Sequence, residues 1–314
     1  MAGETTTTSL TELIYSEWIS PFILSYAQQY RNPSQFFSRW DPQNGSSTVS
    51  IPRWVSNQGT PNDDGVAVDL EYNATEATDL AATEMETLDS TFSIAEYGIR
   101  RDLTDTAVED AQSAETLISH IASDSSSILL AAANDDGCAL FAGFTNASGV
   151  TNTTLSIATV DDVLYSLADR NINGSLVGIL DNKATRDFLG ALQAVGTSMA
   201  QYAMSTDRQM GTSFSPDQGR NAEGFVMQYK NVDFYRQGMT DTANAAVDVV
   251  SAIFVRGDQE TNRPFSAIGQ GTRREFRIAL QRDESKRTTE VISTMRWGCG
   301  KAQDVAGQKI ISKA

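Results

Sequence analysis

The order of patterns along the 314 residues predicts an α+β protein. Three observations carry that expectation. An amphipathic stretch opens the chain, and residues 1–30 contain no Lys or Arg. A turn-rich stretch with polar/apolar alternation follows, and then a long helical pattern that is only thinly apolar. After that helix comes a compact segment in which helical and buried-strand patterns alternate, and strand patterns return at the end.

Residues 1–9 form a Thr-rich tail. From Leu10, the apolar residues Leu13, Ile14, Trp18, Phe22 and Ile23 recur at helical spacing. Pro21 is expected to kink or restart this helix. Side chains as large as Leu13, Trp18 and Phe22 need a partner surface, either their own domain or a neighbouring subunit. Residues 32–65 are rich in turn signals such as Asn44-Gly45 and Asp63-Asp64-Gly65. Between them Thr48-Val49-Ser50-Ile51-Pro52 reads as a strand, with Trp54 just beyond, and Val66 to Leu70 as a second. Phe92, Ile94, Ile99 and Leu103 mark a third extended stretch, with a break expected at Gly98. Residues 46–103 therefore read as a long polar β excursion with too few apolar residues for a core of its own.

A long helix is expected over about 105–133, capped by Thr104 or Asp105, with acids in its first turns. Its stripe is Val108, Ala111, Ala114, Leu117, Ile118, Ile121, Ile128 and Leu129, and Asn134 to Gly137 are expected to end it. Residues 142–156 read as a loop. Thr159-x-x-Asp162 resembles a capping box opening a helix to about Arg170. Leu176 to Leu180 is a continuous apolar run, expected to be a strand buried on both faces. Asp181 is placed to cap a second helix carrying Phe188, Leu189 and Leu192. Residues 204–222 read as a loop, and strands are expected near 224–236 and 247–256. A final hairpin is expected from alternation through Phe276, Ile278 and Leu280 and through Val291, Met295 and Trp297, turning at Asp283 to Arg287 and returning beside the long helix.

Composition narrows the function classes. The net charge is −16, so the chain lacks the surplus Lys/Arg that a sequence-independent grip on DNA requires. Residues 1–250 hold 12 Lys/Arg against 33 Asp/Glu, whereas residues 251–314 hold 12 against 7. Arg273, Arg274, Arg277, Arg282 and Arg296 lie on strand-like segments with acids interleaved, which predicts internal or intersubunit pairing. Cys138 and Cys299 form no CxxC and read as reduced thiols. No signal-peptide pattern opens the chain and no apolar run is long enough to span a membrane.

The chemistry-bearing combinations are missing. His120 is the single histidine and sits on the polar side of the long helix. With one His and two Cys remote in sequence, there is no zinc site of usual spacing, and no Cys-His or Ser-His-Asp arrangement can be built without His120. Gly269-x-Gly271 lacks the third glycine of a dinucleotide fingerprint, and the Asp-Asp-Gly turns lack the ligands of a calcium loop. No catalytic, metal-binding or cofactor-binding residue is expected. Carboxylates alone leave open an acidic soluble enzyme as the alternative class.

Several stretches in this order resemble the major capsid proteins of tailed double-stranded-DNA bacteriophages, the Hong Kong 97 capsid fold. Thr8 to Ile14 with Trp18-Ile19 is similar to the start of that family's N-terminal arm. Gly45 to Pro52 (GSSTVSIP) is similar to the strand opening its extended loop, and Phe92 to Thr104 to the strand that returns. Residues 105–133 correspond to its spine helix, Val160 to Leu192 to the start of its axial domain. Trp297-Gly298 with Ile310-Ile311 resembles its closing strand.

The resemblance implies an arm over 1–45, an extended loop over 46–90, a peripheral domain over 91–156 and 263–314, and an axial domain over 157–262. It implies a structural protein, not an enzyme, that self-assembles as hexamers and pentamers into an icosahedral shell enclosing phage DNA. Another self-assembling phage structural protein is the alternative within that class. The implied partners are further copies of the chain, with portal, scaffolding and cement proteins, and packaged DNA on the inner face without sequence-specific binding. No cofactor and no membrane are implied, and the place of assembly is the host bacterial cytoplasm. Leu13, Trp18, Phe22 and Trp54 are the expected intersubunit contacts. Some members weld their shell through a lysine on the extended loop. Here no lysine precedes Lys183, so a shell without covalent cross-links is expected. The pattern begins within about ten residues, so any scaffold is expected to be a separate protein.

Overall fold

The computed structural model describes residues 4–5, 33–40, 42, 46–54, 87–110, 114–170, 172, 174–194, 225–238, 240, 242–257 and 266–314. The expected helix from Leu10 to Ile23, the strand Val66 to Leu70 and the loop 204–222 lie outside them.

The chain runs through β1 (Glu4–Thr5), a 3-10 turn at Pro33–Phe36, β2 (Ser38–Arg39), β3 (Thr48–Trp54), β4 (Thr87–Ser93) and β5 (Ala95–Thr104). Helices α1 (Asp105–Asp110) and α2 (Ala114–Ala139) follow, then β6 (Ala147–Ser148), α3 (Ile157–Asp169), β7 (Leu176–Asp181) and α4 (Asn182–Ala194). The remainder is β8 (Phe225–Tyr229), β9 (Val232–Gln237), β10 (Thr242–Ala243), β11 (Asp248–Val255), β12 (Ile268–Asp283), β13 (Thr288–Lys301) and β14 (Gly307–Lys313). The mixture is α+β, as expected.

Two sheets and a detached hairpin organise these elements. The first sheet runs β1-β5-β13-β12-β2, and helix α2 lies on it. The second runs β6-β14-β11-β7-β9-β8, with β10 on β11. Strands β3 and β4 pair only with each other, from Thr48 opposite Ser93 to Trp54 opposite Thr87.

The main core belongs to the second sheet. Val177, Ile179 and Leu180 of β7 meet Phe234 of β9 and Ile253 and Phe254 of β11. Val160, Val163 and Leu167 of α3 and Phe188 and Leu192 of α4 close over them. Val177 to Leu180 are buried, as the continuous pattern predicted: β7 lies inside the sheet between β11 and β9, and core side chains including those of α3 and α4 pack on it. The Asp181 carboxylate accepts from Lys183 N at 2.8 Å, so it does cap α4. Helix α3 starts earlier than expected. Ser156, not Thr159, is its cap, accepting from Thr159 N at 3.2 Å. Thr159 stands at the third helical position, where its N–H is one of the orphan donors that a cap satisfies.

The long helix is longer than expected. Thr104 accepts from Ala107 N at 3.3 Å, which caps α1, and α2 runs through Asn134 and Gly137 to Ala139. Tertiary packing overrides the breaker signal there. A Cβ on Gly137 would sit 2.5 Å from Cε2 of Phe37, so only glycine lets the helix lie against that buried ring. The docked face is a row at four-residue spacing, Leu117, Ile121, Ser125, Leu129, Ala133 and Gly137, all buried. Ile128, read as part of the stripe, stands off this row and is 38% exposed.

Three further expectations are corrected. The strand after the extended loop breaks at Ile94, not at Gly98, which pairs with Thr294 inside β5. Ile94 donates its N–H to Ser47 O at 2.7 Å and turns its side chain into a small cluster with Val49, Ile51 and Phe92. Residues 142–156 contain β6, which pairs with β14. Ile310 and Ile311, expected to close the first sheet, lie in β14, whose antiparallel register with β11 runs from Asp248–Lys313 to Phe254–Gly307. Burial of Ile310 among the second sheet's core residues accounts for that placement.

Candidate assembly surfaces

The hairpin β3–β4 springs from a tight root. Val49, Ile51, Phe92, Ile94 and Ala302 are buried together with Trp40 against them. Ser90 Oγ donates to Ala302 O at 3.0 Å. The root crosses the start of β12 and the end of β13, where the backbones approach so closely that a Cβ on Gly298 would lie 2.3 Å from Ser93 O. The glycines at 269, 271, 298 and 300 all face this crossing. The Gly269-x-Gly271 pair, which is not a nucleotide loop, is therefore a packing device. Among the described residues both outer edges of the hairpin are unpaired. Trp54 stands at its far end; Leu13, Trp18 and Phe22 lie outside the described residues.

The first sheet is held to α1 and α2 by a chain of charges. Arg100 reaches both Asp102 and Glu290 at 2.7 Å; these carboxylates lie directly opposite each other on β5 and β13. The guanidinium relieves a like-charge cross-strand pair. Hydrogen bonding from Arg100 holds the Asp102 carboxyl below its ordinary range. Arg282 ties the far end of β12 to Asp105, whose carboxyl its hydrogen bonds also lower, and Arg101 ties β5 to Asp124 on α2. Arg274 and Arg296 share Glu96. The cationic end of the chain is thus largely paired internally, as its interleaved acids predicted. Arg277 pairs with no other described residue.

Trp297 is fully buried. Its Nε1 donates to Asp136 Oδ2 at 2.8 Å, and Tyr97 stacks on it at 4.0 Å with rings 17° apart. Cys138 is buried and Cys299 half-buried. Burial pushes the Cys299 thiol up to about 12 and raises that of Cys138 as well. Neither is a thiolate nucleophile at neutral pH. Among the described residues no three His, Cys, Asp or Glu gather as a metal site, and no described helix is long and apolar enough to cross a membrane.

What the surface offers instead is exposed apolar area that sequence reading did not single out as contact. Tyr165 on α3 is 73% exposed. Val150 and Val247 crown two adjacent turns, joined by Asn244 Nδ2 donating to Thr151 Oγ1 at 3.2 Å. Buried Asp248 accepts from Asn152 N at 2.7 Å and from Asn244 Nδ2 at 2.6 Å beneath them. Asn244, Ala245 and Ala246 are all left-handed, with φ of 52°, 56° and 65°. Ile278 and Leu280 stand out on β12. A single apolar residue in a polar turn, such as Val150 in Asn146 to Asn152, was the available signal. These surfaces are of a kind that can bind a partner.

No protein-family model matches the chain, and no curated protein matches it by sequence. Solved structures do match. The capsid of Ralstonia phage GP4 superposes with a TM-score of 0.67 at 8% identity, over 95% of each chain. The capsid of Myoviridae phage XM1 gives 0.63 at 9% identity, over 99% of this chain and 100% of that one. The head structure of Helicobacter pylori bacteriophage KHP40 gives 0.62 at 10%, over 98% and 97%. Sequence likeness is nearly gone while the architecture persists across whole chains. The chain therefore has the Hong Kong 97-like fold of tailed-phage capsid proteins.

Proposed function

We propose that this chain is the major capsid protein of a tailed bacteriophage, whose copies assemble as hexamers and pentamers into an icosahedral shell around double-stranded DNA. The observation that carries the reading is likeness to phage capsids from end to end, such as 99% and 100% coverage against the XM1 capsid. A domain graft would match over part of its length.

In this reading function is geometry. The axial domain over 157–262 gathers around five- and sixfold axes through head-to-tail contacts that close into rings. The arm over 1–45 and the loop over 46–90 lie across neighbours, with Leu13, Trp18, Phe22 and Trp54 as anchors. The peripheral domain, over 91–156 and 263–314 apart from strands β6 and β14 of the second sheet, carries α2 with its polar face toward the interior. The chain's net charge of −16 lets packaged DNA slide along the wall without adhering. Portal, scaffolding and cement proteins are the further partners, and the host bacterial cytoplasm is the place of assembly.

Sedimentation of the recombinant chain, alone and co-expressed with phage partner proteins, tests the reading. The expected result is a closed particle far heavier than the 34.0 kDa subunit. Subunits that remain monomeric in both settings contradict it. Trp18→Ala is expected to leave a folded subunit that no longer assembles; loss of folding would place Trp18 in the subunit's own core.

A further inference from the structure

Helix α2 docks on the first sheet through two separate apolar clusters. Leu117 and Ile121 meet Leu103 and Val291 toward one end. Leu129 and Ala133 meet Met295 and Trp297 toward the other. Ser125 stands between the clusters on the buried row of the helix, and Ser293 stands between Val291 and Met295 on the same face of β13. The two interruptions coincide. Ile121 to Leu129 rises about 12 Å along a helix, and Val291 to Met295 spans about 13 Å along a strand. The joint therefore has a polar layer at its centre, serine over serine.

This layer is buried and unsatisfied. Ser125 is 1% and Ser293 0% exposed, and neither Oγ has a hydrogen-bond partner among the described residues. The cross-strand neighbours of Ser293 are Ile99 and Ile278, which offer no polar side chain. Arg101 adds a third orphan. It lies on β5 opposite Val291, on the face toward α2, and its guanidinium pairs with Asp124, the residue before Ser125. Its Nε is buried and has no partner among the described residues. A buried hydroxyl or N–H without a partner has lost its hydration and gained nothing in return.

The chemistry of the layer selects what would satisfy it. Two serines between ranks of Ile, Leu, Val and Met leave space that neither side chain fills. The hydroxyls are neutral and Asp124 already balances Arg101, so there is no net charge to hold an ion. The ligand must be small, neutral, and able both to donate and to accept. We propose that Ser125, Ser293 and Arg101 Nε hold one ordered water between α2 and the first sheet. Arg101 Nε–H donates to its oxygen, and the two hydroxyls supply the remaining bonds, within the two to four that a buried water makes. The Arg101–Asp124 pair, with side chains 37% and 49% exposed, marks its route from solvent. The inference concerns the single subunit and does not depend on the assembly reading.

A double-mutant cycle in urea denaturation tests it, with Ser125→Ala, Ser293→Ala and both together. A shared water predicts that each single variant lowers the folding equilibrium constant roughly fivefold to tenfold, and that the double variant falls short of the product of the two losses. A single variant that folds more favourably than the unsubstituted chain would mean that the hydroxyls stand dry, and overturns the inference. Losses that simply multiply overturn it too, because the hydroxyls then share nothing. A density map of the chain that resolves ordered water gives the direct reading. One water within hydrogen-bond distance of both Oγ atoms is expected; a map that shows buried water elsewhere and none between these serines overturns the assignment.

Discussion

At the scale of single residues, the joint between helix and sheet is Asp136 with Trp297. The indole N–H is fully buried and has that carboxylate as its acceptor at 2.8 Å. Asp136→Ala leaves the donor unsatisfied and is expected to cost about 1–3 kcal/mol in urea denaturation of the recombinant chain. Asp102 gives a pH signature. Its folded carboxyl is lowered by Arg100, so its contribution is complete above the ordinary aspartate range and is lost as pH falls through the lowered folded value. Asp102→Asn is expected to flatten the acid limb of stability and to leave its pH dependence near neutrality unchanged. A limb of unchanged steepness would show that the pair does not contribute. Residue types were legible in the sequence at Asp181, where an acid precedes a helical pattern. They were not at Ser156, because two hydroxyl residues three apart both fit a cap and only the chain's entry angle chooses between them.

At the scale of elements, the contrast between neighbours on α2 is the sharpest test. Leu129 is 3% exposed and Ile128 is 38% exposed. Leu129→Ala is expected to cost about 2–5 kcal/mol, Ile128→Ala under about 0.5 kcal/mol, both by denaturation midpoint. Equal costs would put the helix in a different rotation. Ser156→Ala removes the cap of α3 and is expected to cost about 1 kcal/mol. The existence and order of the longer described strands and helices were legible because hydrophobic period is a local property. The end of α2 was not, because Gly137 signals a stop locally and only Phe37, a hundred residues earlier, shows that it marks a contact. The partner of β14 was not legible either: its alternation states that it is a strand, and its pairing with β11 is a long-range choice made by core packing.

At the scale of the molecule, order rather than any motif carried the fold. A polar hairpin, a long helix, an α/β segment and closing strands are each weak signals, and together they form a fold shared with structures at 8–12% identity. The same scale sets two expectations. No lysine precedes Lys183, so heat-denatured particles are expected to run as single chains on a denaturing gel, without a ladder of covalent multimers. The central claim is self-assembly into a closed shell. Negative-stain electron microscopy of the recombinant chain, alone and with phage partner proteins, tests it most directly. Hollow polyhedral shells, or rings of five and six subunits, are the predicted result; dispersed monomers in both settings would contradict it.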